Sequence, residues 1–375
     1  MYEREAIFIK RVMVIMGTRP EAIKLCPVVR ELQTRSKEFE TLVCSTGQHR
    51  ELLAGALRAF HVVPDLELDV MREGQSLSGL SADLLQAIDS VLQSTRPDAV
   101  LVQGDTATAH AAALAAFYRG IPVGHVEAGL RTYHARDPFP EEYHRRAIAL
   151  LSSWHFAPTV TAKQNLIREG IHESTVCISG NTVVDALRYT LNECRPTIRF
   201  ELPKNSRLIV FTAHRRENFG EPLCGMLRAL RRTVEAYPDV FAVFPVHHNP
   251  EVRKSAAMIL SGAERIRMIE PPEFISFHHL LSKAYLVMTD SGGIQEETVA
   301  LGIPTVVMRY TSERTEGMRA GVLRLAGSGE ESVFSLAHRL LRLGSEEYLS
   351  MRRPSAVYGN GHAAERIVDR LCKIL

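Results

Sequence analysis

Hydrophobic positions along this chain fall into two series in which short β-rich runs alternate with stretches of helical period. In the first, apolar runs at 12–16, 41–45, 99–102, 122–126, 154–157 and 176–179 predict strands, and 21–34, 51–60, 77–95, 106–118, 141–152 and 161–169 predict helices. A helix over 182–191 follows, and then 192–207, which carries Pro196 and Pro203, is largely polar and shows little periodicity. The second series has strands at 208–212, 240–245, 266–269, 285–288, 303–308 and 322–326. Its helices fall at 222–236, 250–260, 274–284, after Gly292-Gly293, and at 333–343. Such alternation predicts parallel sheets with helices on both faces, because a parallel connection needs a crossover and a helix is its usual form. The expected fold class is α/β, with two doubly wound domains at 1–180 and 181–360 that meet near Gly180 and leave a cleft between them.

A length of 375 residues suits two cores better than one. A hydrophobic content of 45% with 23% charged residues belongs to a globular enzyme, not to a disordered or fibrous chain. With a net charge of +2 and no basic block, nucleic acid is not an expected partner. Cys26, Cys44, Cys177, Cys194, Cys224 and Cys372 are scattered without a CxxC, which fits reduced thiols rather than a disulfide framework or a zinc site. The charged start MYEREAIFIKR and the short apolar run at 12–16 form neither a signal segment nor a membrane span. The expectation is a cytoplasmic protein without membrane insertion.

In open α/β sheets, ligands gather beyond the carboxyl ends of the strands. Five unusual clusters fall there: Gly17-Thr18-Arg19-Pro20-Glu21 with Lys24, Gly104-Asp105-Thr106, His125-Val126-Glu127, His214-Arg215-Arg216-Glu217 and Ser291-Gly292-Gly293. Adjacent glycines ahead of a helix let a backbone approach a phosphate at the positive end of the helix dipole, although they equally ease a turn. Glu296 and Glu297 a turn later would repel phosphate but accept hydrogen bonds from a sugar diol, which favours a nucleotide. Arg19 and Lys24 flank another helix start and suit an anion clamp. Asp105 reads equally as a helix N-cap, and Glu127 as a carboxylate tied to loop amides or as a general base. Glu141 and Glu142 first read as stabilisers of a helix start after Pro140. His125 reads as core, whereas His214 beside two arginines reads as part of a solvated cationic site. The pairs His247-His248 and His278-His279 lack metal-ligand spacing, HExxH is absent, and Gly327-Ser328-Gly329 lacks the rest of a dinucleotide fingerprint, so neither a metal nor NAD is expected. A diphosphate clamp facing carboxylates fits two enzyme classes: a two-domain nucleotide-sugar transferase, and an enzyme that transforms the sugar of a bound nucleotide sugar.

The ordered set GTRPEAIK (17–24), QHRELL (48–53), GDT (104–106), GHVEAGLRT (124–132), PFPEE (138–142), GNTVVDAL (180–187), TAHRREN (212–218) and TDSGGIQEE (289–297) resembles the bacterial non-hydrolysing UDP-N-acetylglucosamine 2-epimerases. The similarity runs from about Val12 to the final helix. It implies a GT-B-like fold of two Rossmann-type domains, the active site in the interdomain cleft and the helix at 361–375 completing the first domain. By matching motif, Arg19, His214, Ser291, Gly292 and Gly293 would hold the diphosphate with support from Lys24, and Glu297 would hold the ribose. Phe277 would lie near the uracil, Arg314 would bind substrate, and Asp105, Glu127 and Glu141 would be the acid/base carboxylates, with His214 beside them in catalysis. The implied reaction interconverts UDP-GlcNAc and UDP-ManNAc for surface polysaccharide without a cofactor, in a homodimer.

Three departures touch the sugar pocket. The segment after QEE is Thr298-Val299-Ala300-Leu301-Gly302-Ile303-Pro304, TERPE becomes Ser312-Glu313-Arg314-Thr315-Glu316, and the usual asparagine two residues after PEE is His144. A modified UDP-GlcNAc derivative is therefore the alternative substrate, and a GT-B glycosyltransferase the alternative enzyme. The resemblance also implies a second UDP-GlcNAc site at Gln48 and His49, although Gly74 stands where some relatives carry arginine.

Overall fold

The computed structural model describes residues 9–47, 50–72, 74–215, 218–312 and 314–375, with the backbone alone at 50–52. The chain divides into two compact units, Met1–Ala186 with Gly359–Leu375, and Leu187–Tyr358.

Unit 1 runs β1 (Lys10–Met16), α1 (Arg19–Thr34), β2 (Phe39–Ser45), α2 (Arg50–Ala59), β3 (Leu66–Glu67), α3 (Leu77–Thr95), β4 (Ala99–Gln103), α4 (Ala107–Tyr118), β5 (Val123–Val126), α5 (Glu141–Leu151), β6 (Trp154–Ala157), α6 (Val160–Arg168), β7 (Val176–Ile178) and α7 (Thr182–Glu193), the division of the chain falling within α7. Its strands form a parallel sheet in the order β3-β2-β1-β4-β5-β6-β7. Val14 of β1 pairs with Val43 on one side and Leu101 on the other, so the strand is buried on both faces and its sequence is continuously apolar. The alanine-rich α4 is buried over most of its surface, because small side chains let it lie close to the sheet and to α3. Gly17 ends β1 where no larger residue fits: an added Cβ would sit 2.3 Å from Thr46 Oγ1.

Unit 2 runs β8 (Arg207–Thr212), α8 (Glu221–Glu235), β9 (Val240–Pro245), α9 (Pro250–Leu260), β10 (Ile266–Ile269), α10 (Phe274–Leu281), β11 (Leu286–Thr289), α11 (Gly292–Leu301), β12 (Thr305–Val307), α12 (Thr315–Arg319), β13 (Leu323–Leu325), α13 (Glu330–Leu341) and α14 (Glu346–Met351). The sheet order is β10-β9-β8-β11-β12-β13, again parallel. Phe211 and Phe244 meet edge to face at 4.9 Å within its core. The last helix, α15 (Ala363–Ile374), belongs to unit 1. There Ala364 N donates to Asp185 Oδ1 at 2.8 Å, and Arg35 pairs with Asp369 at 2.6 Å.

Three elements escape the sequence pattern: β3, α12 and α14, of two, five and six residues, are too short to display a period. The helix expected after Gly292-Gly293 instead begins at Gly292, with Ser291 as its cap residue. Among the described residues no helix is long and apolar enough to cross a membrane.

Candidate active site

Both sheets reverse strand order once, between β1 and β4 in unit 1 and between β8 and β11 in unit 2. A crevice opens beyond the carboxyl ends of strands at such a point, since the flanking connections leave in opposite directions. The clusters at Gly17, Gly104, His214 and Ser291 follow those four strands, and Glu127 follows the adjacent β5.

In unit 1, α1 opens with Arg19. Thr18 caps the helix and Glu21 closes a capping box, accepting from Gly17 N, Thr18 N and the Thr18 and Thr106 hydroxyls at 2.7–3.1 Å. Full burial raises the pKa of Glu21 against those hydrogen bonds. Glu21 thus ties the β1 turn to the β4 turn, a role that the Thr18-x-x-Glu21 spacing signals and the expected site omits. Arg19 is half-buried and makes no side-chain hydrogen bond or ion pair with the described residues, and burial lowers its pKa. Such a guanidinium is poised for an anion.

Lys24, which the family resemblance sets in support of a phosphate, pairs its ammonium with Glu127 Oε2, which also receives Gln103 Nε2. Glu127 has a left-handed backbone (φ 64°), a conformation that costs a non-glycine residue energy and persists only where neighbours enforce it. The side chains of Lys24 and Gln103 thus hold this carboxylate.

Asp105 is not the cap of α4. Thr106 is, with its hydroxyl accepting from Ala109 N at 3.0 Å. Asp105 Oδ2 instead receives Arg145 Nη2 at 2.5 Å, and its main-chain oxygen receives His144 Nδ1 at 2.9 Å. Glu141 is the first residue of α5, and its Oε2 is buried without a hydrogen-bond partner in the described structure. Its neighbour Glu142 turns back to Thr132 N and Tyr133 N at 3.0 and 3.1 Å. The helix-start reading therefore fits Glu142 as an organiser of the preceding loop, while one oxygen of Glu141 stays uncommitted.

In unit 2, β8 delivers His214 and β11 delivers Asp290. Asp290 is fully buried, accepts from His214 N, Arg215 N and Asn218 Nδ2, and lies 3.1 Å from His214 Nδ1. Burial pushes its pKa up, but His214, the Arg215 amide and Asn218 outweigh that and hold the carboxyl below its ordinary value. Asp290 orients the His214 ring through Nδ1, as a carboxylate orients a histidine in many active sites. Asp290 stands in the TDSGGIQEE motif, but nothing along the chain marks it as the partner of a histidine 76 residues away.

The α11 turn carries three consecutive acceptors with different tasks. Gln295 Nε2 clips Ser291 O at 3.0 Å and its Oε1 accepts from the Ser312 hydroxyl. Glu296 binds Arg314 Nε at 3.1 Å, which sets the guanidinium over the helix start: a Cβ at Gly292 would lie 3.2 Å from Arg314 Nη1. A Cβ at Gly293 would meet nothing within 4 Å. Glu297 Oε1 lies 3.4 Å from His278 Nε2, whose Nδ1 is bonded to Thr190 at 2.6 Å; Glu297 Oε2 is buried and unpartnered in the described structure. The helix end, Arg314 and the free Ser291 hydroxyl suit an anionic group, and the orphaned Glu297 oxygen suits a hydroxyl. Phe277, next to His278 on α10, is half-buried against Leu280, Val287 and Phe200.

The structure brings His214, Ser291, Gly292, Gly293, Glu297 and Arg314 to one end of the unit 2 sheet, and Arg19, Lys24, Asp105, Glu127 and Glu141 to one end of the unit 1 sheet. Gln48 and His49 lie outside the described residues, as do Glu73, Arg216, Glu217 and Glu313.

A family profile described as UDP-N-acetylglucosamine 2-epimerase matches residues 30–372. A Bacillus subtilis UDP-N-acetylglucosamine 2-epimerase is 45% identical over 96% of this chain and 94% of its own. The crystal structure of UDP-GlcNAc 2-epimerase from Neisseria meningitidis bound to UDP-GlcNAc aligns with a TM-score of 0.90, 42% identity and coverage of 97% of this chain and 100% of that one. An S. aureus MnaA–UDP co-structure aligns at 0.89 and 40%, covering 98% and 97%.

Proposed function

Since the chain belongs to the UDP-N-acetylglucosamine 2-epimerase family, we propose that it interconverts UDP-GlcNAc and UDP-ManNAc without hydrolysis, by eliminating UDP and adding it back. The observation that carries this reading is the α11 turn. An open glycine helix end under Arg314 suits a diphosphate, and a buried carboxylate oxygen without a partner, one turn on, suits a ribose hydroxyl.

The chemistry asks for what the two units offer. The C2 proton of GlcNAc has no adjacent carbonyl to acidify it, so direct deprotonation is too slow. As the C1–O bond to UDP breaks, cationic character develops in the ring; a carboxylate then takes the C2 proton and the C1–C2 double bond of 2-acetamidoglucal forms. UDP leaves with the bonding pair, and the negative charge that grows on its β-phosphate is met in unit 2 by His214, Arg314 and the Ser291-Gly292-Gly293 helix end, while Arg19 gives unit 1 a guanidinium suited to an anion. Donors placed where charge develops act on the barrier itself. Protonation of C2 from the opposite face and return of UDP to C1 complete the epimerisation. Two proton-transfer groups are needed, and Asp105, Glu127 and Glu141 are the candidates, Glu127 with Lys24 and Asp105 with Arg145 as cationic partners. A proton-transfer group of this kind is worth about 10² to 10⁴ in rate.

In this reading the enzyme works in the cytoplasm, where its six unbridged cysteines stay reduced, and supplies surface polysaccharide. It acts as a homodimer: Phe117, Tyr118 and Leu150, exposed at 53%, 70% and 74%, give unit 1 apolar surface for a second copy, which sedimentation of the purified protein tests. Proton NMR of the protein with UDP-GlcNAc in D2O, without metal, NAD or acceptor, tests the activity. UDP-ManNAc with deuterium at C2 is expected; free ManNAc with UDP, or an unchanged spectrum, would overturn the reading.

A further inference from the structure

The proposed reaction leaves His144 without a task, yet it is one of the most completely engaged side chains near the carboxylates. It is 4% exposed, and its Nδ1 lies 2.9 Å from the main-chain oxygen of Asp105. A carbonyl oxygen only accepts, so the ring proton sits on Nδ1. The other face of the contact is His110 of α4, stacked on His144 at 4.9 Å and 14°, with Tyr143 edge-on to His110.

The backbone around Asp105 explains why such a bond matters. Gly104 on its amino side is left-handed at φ 72°, a conformation with many alternatives for glycine. On its carboxyl side Thr106 is extended and caps α4 with its own hydroxyl, so Ala109 N goes to that hydroxyl and the helix ladder starts with His110 N on Thr106 O. The carbonyl of Asp105 therefore lies outside both the β4 ladder and the α4 ladder. His144 supplies its bond, and the next residue, Arg145, holds the same residue by its carboxylate. Two consecutive side chains of α5, the helix that also begins with Glu141, thus fix Asp105 at its main chain and at its side chain.

We propose that His144 is a positioning residue whose Nδ1–H, by holding the Asp105 carbonyl, sets the carboxylate of Asp105 at the distance its proton transfer requires. The role belongs to the donor and not to the ring. It rests on the reading of Asp105 as a proton-transfer group.

Two substitutions separate donor from ring. His144→Phe keeps a ring to stack on His110 and removes the donor; His144→Asn keeps a short side-chain donor and removes the ring. With UDP-GlcNAc in D2O, His144→Phe is expected to lose about 10- to 100-fold in kcat, the scale of an ångström-level misplacement, with KM changed by less than about three-fold. His144→Asn should restore most of that loss. UDP binding and thermal midpoint, measured on all variants, report the fold independently. Full kcat in His144→Phe, or equal losses in His144→Phe and His144→Asn, would overturn the proposal. Asp105→Asn runs alongside. Full activity there would remove Asp105 from the reaction and the hold with it, whereas an inactive Asp105→Asn beside a fully active His144→Phe would overturn the hold alone.

Discussion

Two of the three candidate carboxylates of unit 1, Glu127 and Asp105, meet a basic group from a distant part of the chain, and those partners set what the side chains can do. Lys24 lies 103 residues from Glu127, and Arg145 lies 40 residues from Asp105. An opposite charge at contact holds a carboxylate in one orientation, the placement a proton acceptor needs. Asp105→Asn, Glu127→Gln and Glu141→Gln are each expected to lower kcat about 100-fold or more while UDP binds as before. Calorimetric UDP titration beside the turnover assay checks both halves, and full activity in any one variant would remove that residue from the reaction. Asp105 and Glu127 stand out in the sequence because their motifs sit at strand ends, and Glu141 only through the family resemblance, whereas the partners of Asp105 and Glu127 do not show there. Spacing along the chain shows which residues share a turn or a face, but not that Asp290 meets His214 or that His278 backs Glu297, 76 and 19 residues apart. Lys24 is a further case: its place near a helix start points to an anion, and only the fold brings it to Glu127.

Among the elements, the longer ones were readable because burial on both faces imposes unbroken apolar runs on parallel strands and a stripe on their helices. The two-residue β3 and the short α12 and α14 carry no period to find. The central strands also bury titratable groups. His125 of β5 and His155 of β6 are register neighbours, fully enclosed, and bonded to the carbonyls of Gly104 and Ala149 at 2.8 and 2.9 Å. Burial lowers the pKa of both, that of His125 to about 3, and it also lowers those of His110, to about 4, and His144. In the unfolded chain these rings bind protons near the ordinary value of 6.5, so below that pH the unfolded state takes up more protons and folding stability falls. Each of the enclosed rings His125 and His155 contributes stability that is present in full above 6.5 and is lost toward the folded pKa, with a slope of up to about 1.4 kcal/mol per pH unit. Glu21 and Asp185, raised by burial, act in the opposite sense, two groups against these four histidines. Trp154, the one tryptophan, sits on β6 and reports the unfolding of unit 1. Its urea midpoint should fall steadily from pH 7 to pH 5; a flat or rising midpoint would contradict buried neutral histidines.

The whole molecule repeats one device, a parallel sheet that reverses strand order once and places loops from both sides of the reversal at its carboxyl end. One copy carries carboxylates with their cations, and the other a glycine helix end suited to an anion, with a histidine oriented by a buried aspartate. This division suits a reaction in which one substrate both loses and regains its nucleotide while a proton changes face on the sugar. The central claim is that the C1–O bond breaks in every turnover and UDP stays bound until it re-forms. The most direct test uses UDP-GlcNAc labelled with ¹⁸O in the oxygen that joins C1 to the β-phosphate, recovered after partial conversion and analysed by phosphorus NMR. UDP cut from the sugar but still bound can rotate its β-phosphate, so the account predicts that label moves from the bridging to the non-bridging β positions as UDP-ManNAc accumulates. Label that stays wholly in the bridge while C2 epimerises would contradict it.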